Sequence, residues 1–161
     1  MVTAGTGEHT LAATVGAFLP VSHAPALAAV FIGTHGRMCT LVQATRRWSV
    51  SVLGEDDYTL ARHFAHPARV TGDSELRRIG VVEVEGFAPV LARAAAWLTC
   101  ELESAVEIGD HTALIGRVAR FERDLAIRPL LAWRGKLYQL GQPAAPAAWS
   151  TLDPDDFADG W

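Results

Sequence analysis

The chain has 161 residues, half of them hydrophobic and a fifth charged, with a formal net charge of −4. That length suits one domain with its own core, and scattered basic residues on an acidic balance exclude nucleic acid and anionic membranes as default partners. No apolar run approaches the roughly 20 residues of a membrane helix, the start MVTAGTGEHT lacks the basic and apolar regions of a signal peptide, and Cys39 and Cys100 have no metal or redox spacing, so a cytoplasmic protein with reduced thiols is expected.

In chain order, GTGEH near the start reads as a hairpin tip rather than a phosphate loop. ALAAVFI, Ala26 to Ile32, is a near-continuous apolar run of strand length. MCTLVQA, Met38 to Ala44, predicts a short helix with Met38, Leu41 and Val42 on one face. WSVSVL alternates, with Trp48, Val50 and Val52 on one face and Ser49 and Ser51 on the other. DDYTLARHFA predicts a second helix, which Asp56 or Asp57 can cap; Leu60 and Phe64 share a face, and Pro67 ends it.

Val70 to Ile79 is polar and basic, and is expected as a mobile loop. Trp97 to Ile108 is a long half-buried strand, with Leu98, Cys100 and Leu102 on one side and Thr99, Glu101 and Glu103 on the other. Gly109-Asp110 fits a two-residue type II′ turn, and the return strand runs from about Thr112 to Arg123. PLLAW pairs with KLYQL across Arg134-Gly135. Beyond Leu140 the chain turns Pro/Ala-rich and then acidic, a tail that Trp149, Phe157 and Trp161 could pin to a surface. The expected organisation is one domain over 1–140 with a tail over 141–161. Many strands and few helices point to a small closed barrel, mainly β.

Several chemistries lack their motifs. No G-x-S-x-G elbow, Walker A sequence or G-x-G-x-x-G is present. His63 and His66 lie three apart, but zinc needs two more ligands at recognisable spacing, so solvated surface histidines are expected and no metal.

The ordered set AATVGAFLPVSHAPAL, WSVSVL, LARHFA, WLTCELE, GDHTALIGRV and PLLAWRGKLYQL resembles the flavin reductase-like family, from Val2 to about Leu140. LARHFA and GDH match closely, and the order and spacing of the pieces together are specific. The resemblance implies an FMN-binding split β-barrel, a six-stranded Greek-key barrel with a few short helices. It implies a homodimer in which NADH or NADPH reduces FMN or FAD, and reduced flavin passes to a partner flavin-dependent monooxygenase. Flavin contacts are implied along Thr14, Val15, Gly16, Ala17 and Ser22, at the turn of Gly36 and Arg37, near the helix start at Thr40, and at Ser51. A helix N-terminus suits a phosphate, and Arg37 adds charge-assisted hydrogen bonds.

His111 of the GDH motif is implied beside the nicotinamide, as the one candidate catalytic residue; the alternative is that it only caps its turn. Thr14 and Ser22 are otherwise ordinary strand polar residues, and Tyr138 is read as a barrel-wall aromatic.

The sequence departs from the family's pattern. The family usually begins with a helix and a strand before this chain's first residue, and Met1–Ala4 matches only the end of that strand. Gly16 stands where Ser or Thr is common, Pro20 where Ser is usual, and Ser51 where Asn is usual. Each lost hydrogen bond is worth on the order of 1 kcal/mol, so three together weaken flavin binding by roughly two orders of magnitude. An alternative follows from these losses: a barrel with altered or lost flavin binding that acts on another small molecule, as a cyclase, isomerase or lyase of a specialised pathway.

Overall fold

Alternation and turn chemistry build the long strands as expected. The computed structural model describes residues 1–141. Its elements are β1 (Val2–Ala4), a 3-10 turn at Gly7–His9, β2 (Leu11–Ala13), β3 (Phe18–Ser22), β4 (Leu27–Gly33), α1 (Arg37–Thr45), β5 (Arg47–Val52), α2 (Tyr58–Ala65) and α3 (Asp73–Arg78). They continue with β6 (Val81–Val82), β7 (Val90–Leu91), β8 (Ala96–Ile108), β9 (His111–Arg123), β10 (Leu131–Trp133) and β11 (Lys136–Tyr138).

The main sheet runs β2-β1-β5-β8-β9-β4-β3, antiparallel throughout. It has seven strands, one more than the barrel expected, because the chain breaks at 14–17 and supplies β2 and β3 as its two ends. The split lies between those edges. Pro20 is tolerated because β3 is an edge strand, and the register shifts beside it. Gly109 at φ +63 joins β8 to β9, with Ile108 paired to His111. Arg134 and Gly135, at φ +50 and +72, close the separate β10–β11 hairpin. GTGEH is the β1–β2 connection, as expected of a hairpin tip.

Trp48 is fully buried at the barrel's centre with Val50, Leu98, Cys100 and Leu114. Gly116 makes room for it: a Cβ there would lie 2.7 Å from Cys100 Cβ and 3.0 Å from Trp48 Nε1. α1 sends Met38, Cys39 and Val42 into the same core. α2 buries Leu60, Ala61 and Phe64 in a second cluster with Leu53, Leu76 and Leu91.

Three expectations are corrected. The segment read as a mobile loop contains α3, because Leu76 is fully buried and Arg77–Asp73 and Arg78–Glu75 pairs brace the turn; one apolar residue makes no visible period. Asp57 does occupy the N-cap of α2, but its carboxylate accepts from Gly54 N–H (3.0 Å) and Arg93 Nε (2.9 Å) instead of capping the helix. On the face of β5 opposite Trp48, Ser49 and Ser51 are buried beneath residues 88–91. Ser49 Oγ donates to Ala88 O (2.7 Å), Thr3 Oγ1 donates to Pro89 O (2.7 Å), and Ser51 Oγ accepts from Leu91 N–H (2.9 Å). Tyr138 lies exposed on the separate hairpin rather than in the barrel wall. The tail from Gln142 onward, with Trp149, Phe157 and Trp161, lies outside the described residues. Among the described residues no helix is long and apolar enough to cross a membrane.

Candidate functional site

The C-terminal end of β4 gathers three of the sequence-predicted segments. On one side, Phe31 N–H donates to Ala17 O (3.3 Å). On the other, Gly33 pairs with His111. Just beyond the strand, Thr34 N–H donates to Asp110 O (3.0 Å), and Thr34 and Thr112 share a hydroxyl hydrogen bond at 3.0 Å. Gly36 N–H then donates to Gly33 O (2.9 Å), turning the chain into α1. Segments 14–17 and 110–112 therefore flank one strand, two strand spacings or roughly 10 Å apart, with the helix start between them.

Segment 14–17 offers donors without acceptors. Thr14 N–H is used by Phe64 O (3.0 Å). Among the described residues the N–H groups of Val15, Gly16 and Ala17 have no partner. Thr14 Oγ1 is buried and also unpartnered, a costly state for a hydroxyl unless a ligand completes it. Thr14 sits where two clefts meet, one of about 680 Å³ beside α2 and one of about 150 Å³ reaching Val15, Phe18 and Ser51. A Cβ on Gly16 would meet nothing within 4 Å, so the segment's outer side is open.

The α1 N-terminus is bare. Gly36 is its N-cap with no side-chain cap, and no acidic residue occupies the first turn. Arg37 is exposed and, among the described residues, makes no ion pair. Thr40 is exposed one turn in, its hydroxyl 3.5 Å from Gly36 O, and Arg37 and Thr40 line a depression that Glu8 also borders. Free N–H groups, the helix dipole and an unpaired guanidinium together suit a phosphate.

His111 is half-exposed at the hairpin tip, its Nδ1 2.7 Å from Asp110 Oδ1. That hydrogen bond and the charge of His111 hold the Asp110 carboxyl below the usual carboxylate range. With Nδ1 engaged, Nε2 is the nitrogen free for a ligand. Both readings of His111 therefore meet in one geometry: the turn contact orients the ring, and the other nitrogen is available.

Two predicted contacts sit apart from this arrangement. Ser22 pairs with Leu27 at the opposite end of β4, roughly 20 Å from Gly33. Ser51 lines the smaller cleft, but its hydroxyl is committed to Leu91 N–H. His63 is held 3.3 Å from Glu75 rather than simply solvated. Sequence reasoning missed Tyr58, Arg62 and Lys136 as lining residues of the larger cleft. The spacing of Tyr58, Arg62 and His66 along one helix face was the signal that could have found two of them.

The chain is similar to several known proteins. A family model described as "Flavin reductase like domain" matches residues 1–141. The NADH-dependent FMN reductase AsuE2 of Streptomyces nodosus subsp. asukaensis is 33% identical over 144 residues, 89% of this chain and 78% of that protein. An NADH-dependent FAD reductase of Streptomyces globisporus is 34% identical over 119 residues, 73% of this chain and 65% of its own. Among solved structures, BorF, the flavin reductase component of a bacterial two-component tryptophan halogenase, superposes with TM-score 0.82 at 29% identity, covering 88% of this chain and 89% of that one. The Streptomyces globisporus NADH:FAD oxidoreductase SgcE6, in complex with NAD and FAD fragments, gives 0.81 at 30% identity, covering 89% and 85%.

Proposed function

The chain belongs to the flavin reductase-like family, and from that premise we propose that it is an NADH-dependent flavin reductase that hands reduced FMN or FAD to a partner monooxygenase. The observation that carries the reading is the buried, unpartnered Thr14 hydroxyl next to three free N–H groups at a cleft junction. These groups match the hydrogen-bonding edge of a flavin ring, and the bare α1 N-terminus with Arg37 matches the phosphate common to FMN and FAD.

When bound, the flavin supplies the acceptor for the hydride of NADH. The chain's own work is orientation. Val15, Gly16 and Ala17 N–H groups and Thr14 Oγ1 hold the ring edge. Arg37 and the first turn of α1 hold the phosphate. His111, its ring set by Asp110, presents Nε2 to the nicotinamide side, where stacked rings must approach closely. Gly16 and Pro20 bring fewer polar groups to the flavin segment than the family's usual residues, which suits a flavin that leaves as a substrate. The exposed Leu19 and Val21 of edge strand β3 and Phe121 of β9 support a homodimer.

The alternative of a barrel that has lost flavin would require the segment to be filled, yet the space beyond Gly16 is open. The test is titration with FMN and FAD by flavin fluorescence, followed by NADH oxidation. Saturable binding with oxidation that falls in His111→Ala is the expected result. No binding at high flavin concentration would overturn the reading.

A further inference from the structure

We propose that the cleft between α2 and the β10–β11 hairpin binds an adenosine diphosphate group, the half of a dinucleotide remote from its reactive ring. The assignment rests on the flavin reductase reading for its chemistry.

Positive charge without a carboxylate partner converges at this cleft. Arg47, Arg77, Arg78, Arg93, Arg117 and Arg128 are all paired with carboxylates. Arg46 and Arg69 donate to the backbone carbonyls of Leu102 and Ala12. Arg37, Arg120, Arg123 and Arg134 also have no carboxylate partner among the described residues, but Arg62 and Lys136, the chain's one lysine, come from separate elements to the same cleft. Among the described residues no carboxylate lines it and neither cation has an acidic partner. Two converging unpaired cations on a protein of net charge −4 mark a place where an anion is missing.

α2 presents a polar and aromatic face to the cleft. Leu60, Ala61 and Phe64 point into the core, which leaves Tyr58, Arg62 and His66, four residues apart in sequence, along the cleft. The Arg62 guanidinium lies 5.8 Å from the Tyr58 ring centroid and 3.4 Å from its hydroxyl. His66 Nδ1 accepts from Ala68 N–H (3.2 Å), so its Nε2 carries the proton and donates. The cleft wall thus offers a forked donor, a point charge, an imidazole N–H and an exposed aromatic ring. Those groups fit a diphosphate with a purine beside it.

The cleft is continuous with the flavin segment. Thr14 lines both this cleft and the smaller one beside segment 14–17. An anion between Arg62 and Lys136 therefore lies in a cleft that adjoins the ring site. A dinucleotide, whose adenosine half stands apart from its reactive ring, has a group to place in each. NADH and FAD both carry the group, and the experiment separates them.

The test compares wild type with the Arg62→Gln/Lys136→Gln double variant, with Arg62→Lys as the charge-retaining control. Adenosine diphosphate ribose is titrated calorimetrically, a readout that needs no redox chemistry. Steady-state rates are taken with NADH and with reduced nicotinamide mononucleotide, using FMN as acceptor, and FAD and FMN affinities are measured alongside. The expected result is a loss of about tenfold or more in adenosine diphosphate ribose affinity, largely restored in Arg62→Lys. With it, one ratio falls by a similar factor. A fall in NADH over mononucleotide kcat/KM assigns the cleft to NADH, and a fall in FAD over FMN affinity assigns it to FAD.

Adenosine diphosphate ribose binding that is absent in wild type, or equal in the double variant with both ratios unmoved, overturns the proposal. NADH oxidation with unmoved ratios removes the cleft assignment and leaves the reductase reading intact. Charge-dependent adenosine diphosphate ribose binding without any flavin-dependent oxidation does the reverse.

Discussion

Asp110 Oδ1 lies 2.7 Å from His111 Nδ1, and Asp110 O is tied to Thr34 N–H at 3.0 Å. One residue thus fixes the histidine's ring and also joins the β8–β9 hairpin tip to the loop entering α1. The pair is solvent-exposed, so its value lies in orientation rather than stability. His111→Ala is expected to lower kcat/KM for NADH by on the order of tenfold, about 1.4 kcal/mol, while the melting temperature stays near that of wild type. Steady-state kinetics and thermal denaturation check both halves.

The same pair gives a signed pH dependence. The Asp110 carboxyl is depressed by its hydrogen bond and charge interaction with His111. The contact is therefore complete above the ordinary carboxylate range, and is lost as pH falls through the depressed value. In Asp110→Asn that acid limb disappears from the pH profile of kcat/KM. A limb of unchanged position in the variant would show that another group produces it.

Thr14→Val should change stability and binding in opposite directions. The near-isosteric swap removes a buried hydroxyl that has no partner in the protein. The ligand-free protein gains about 1 kcal/mol, because an unsatisfied buried group is costly. FMN affinity falls by roughly fivefold to tenfold, because the same hydroxyl is complete only with ligand. Urea denaturation without flavin and fluorescence titration with it give the two numbers.

Gly16→Ser tests the departure from the family's usual residue. The position is exposed, a Cβ there meets nothing, and its φ is not in the left-handed region. The variant should fold as wild type and bind FMN about fivefold more tightly, by one hydrogen bond of about 1 kcal/mol. Unchanged affinity would mean the side chain at this position does not reach the flavin.

Gly116→Ala probes the barrel's centre. A methyl group 2.7 Å from Cys100 Cβ and 3.0 Å from Trp48 Nε1 must displace one of two fully buried side chains. The cost is about 1–3 kcal/mol by overpacking, read as a lower urea midpoint. Cys100, whose thiol burial pushes up to about 12, should resist alkylation at pH 8 in wild type and react faster in the variant, since reaction requires opening.

Much of this was legible in the sequence. WSVSV, the run from Trp97 to Ile108 and the Gly109-Asp110 turn express local preferences: side chains alternate with period two, and a two-residue turn needs a residue at positive φ. The ordered motifs carried the family and, through it, segment 14–17, Arg37 and His111. What only the tertiary structure decided depends on residues distant in sequence. Alternation puts Ser49 and Ser51 on one face but does not show what covers it, which is residues 88–91, with hydrogen bonds to Ala88 and Leu91. The α3 helix has one buried apolar residue, Leu76, and becomes recognisable only from what packs on it. Ser22 follows Thr14 closely along the chain, yet β3 carries it to the far end of β4. Arg62 and Lys136 share a cleft across more than seventy residues, a juxtaposition that no local periodicity encodes because packing of the separate β10–β11 hairpin beside α2 creates it.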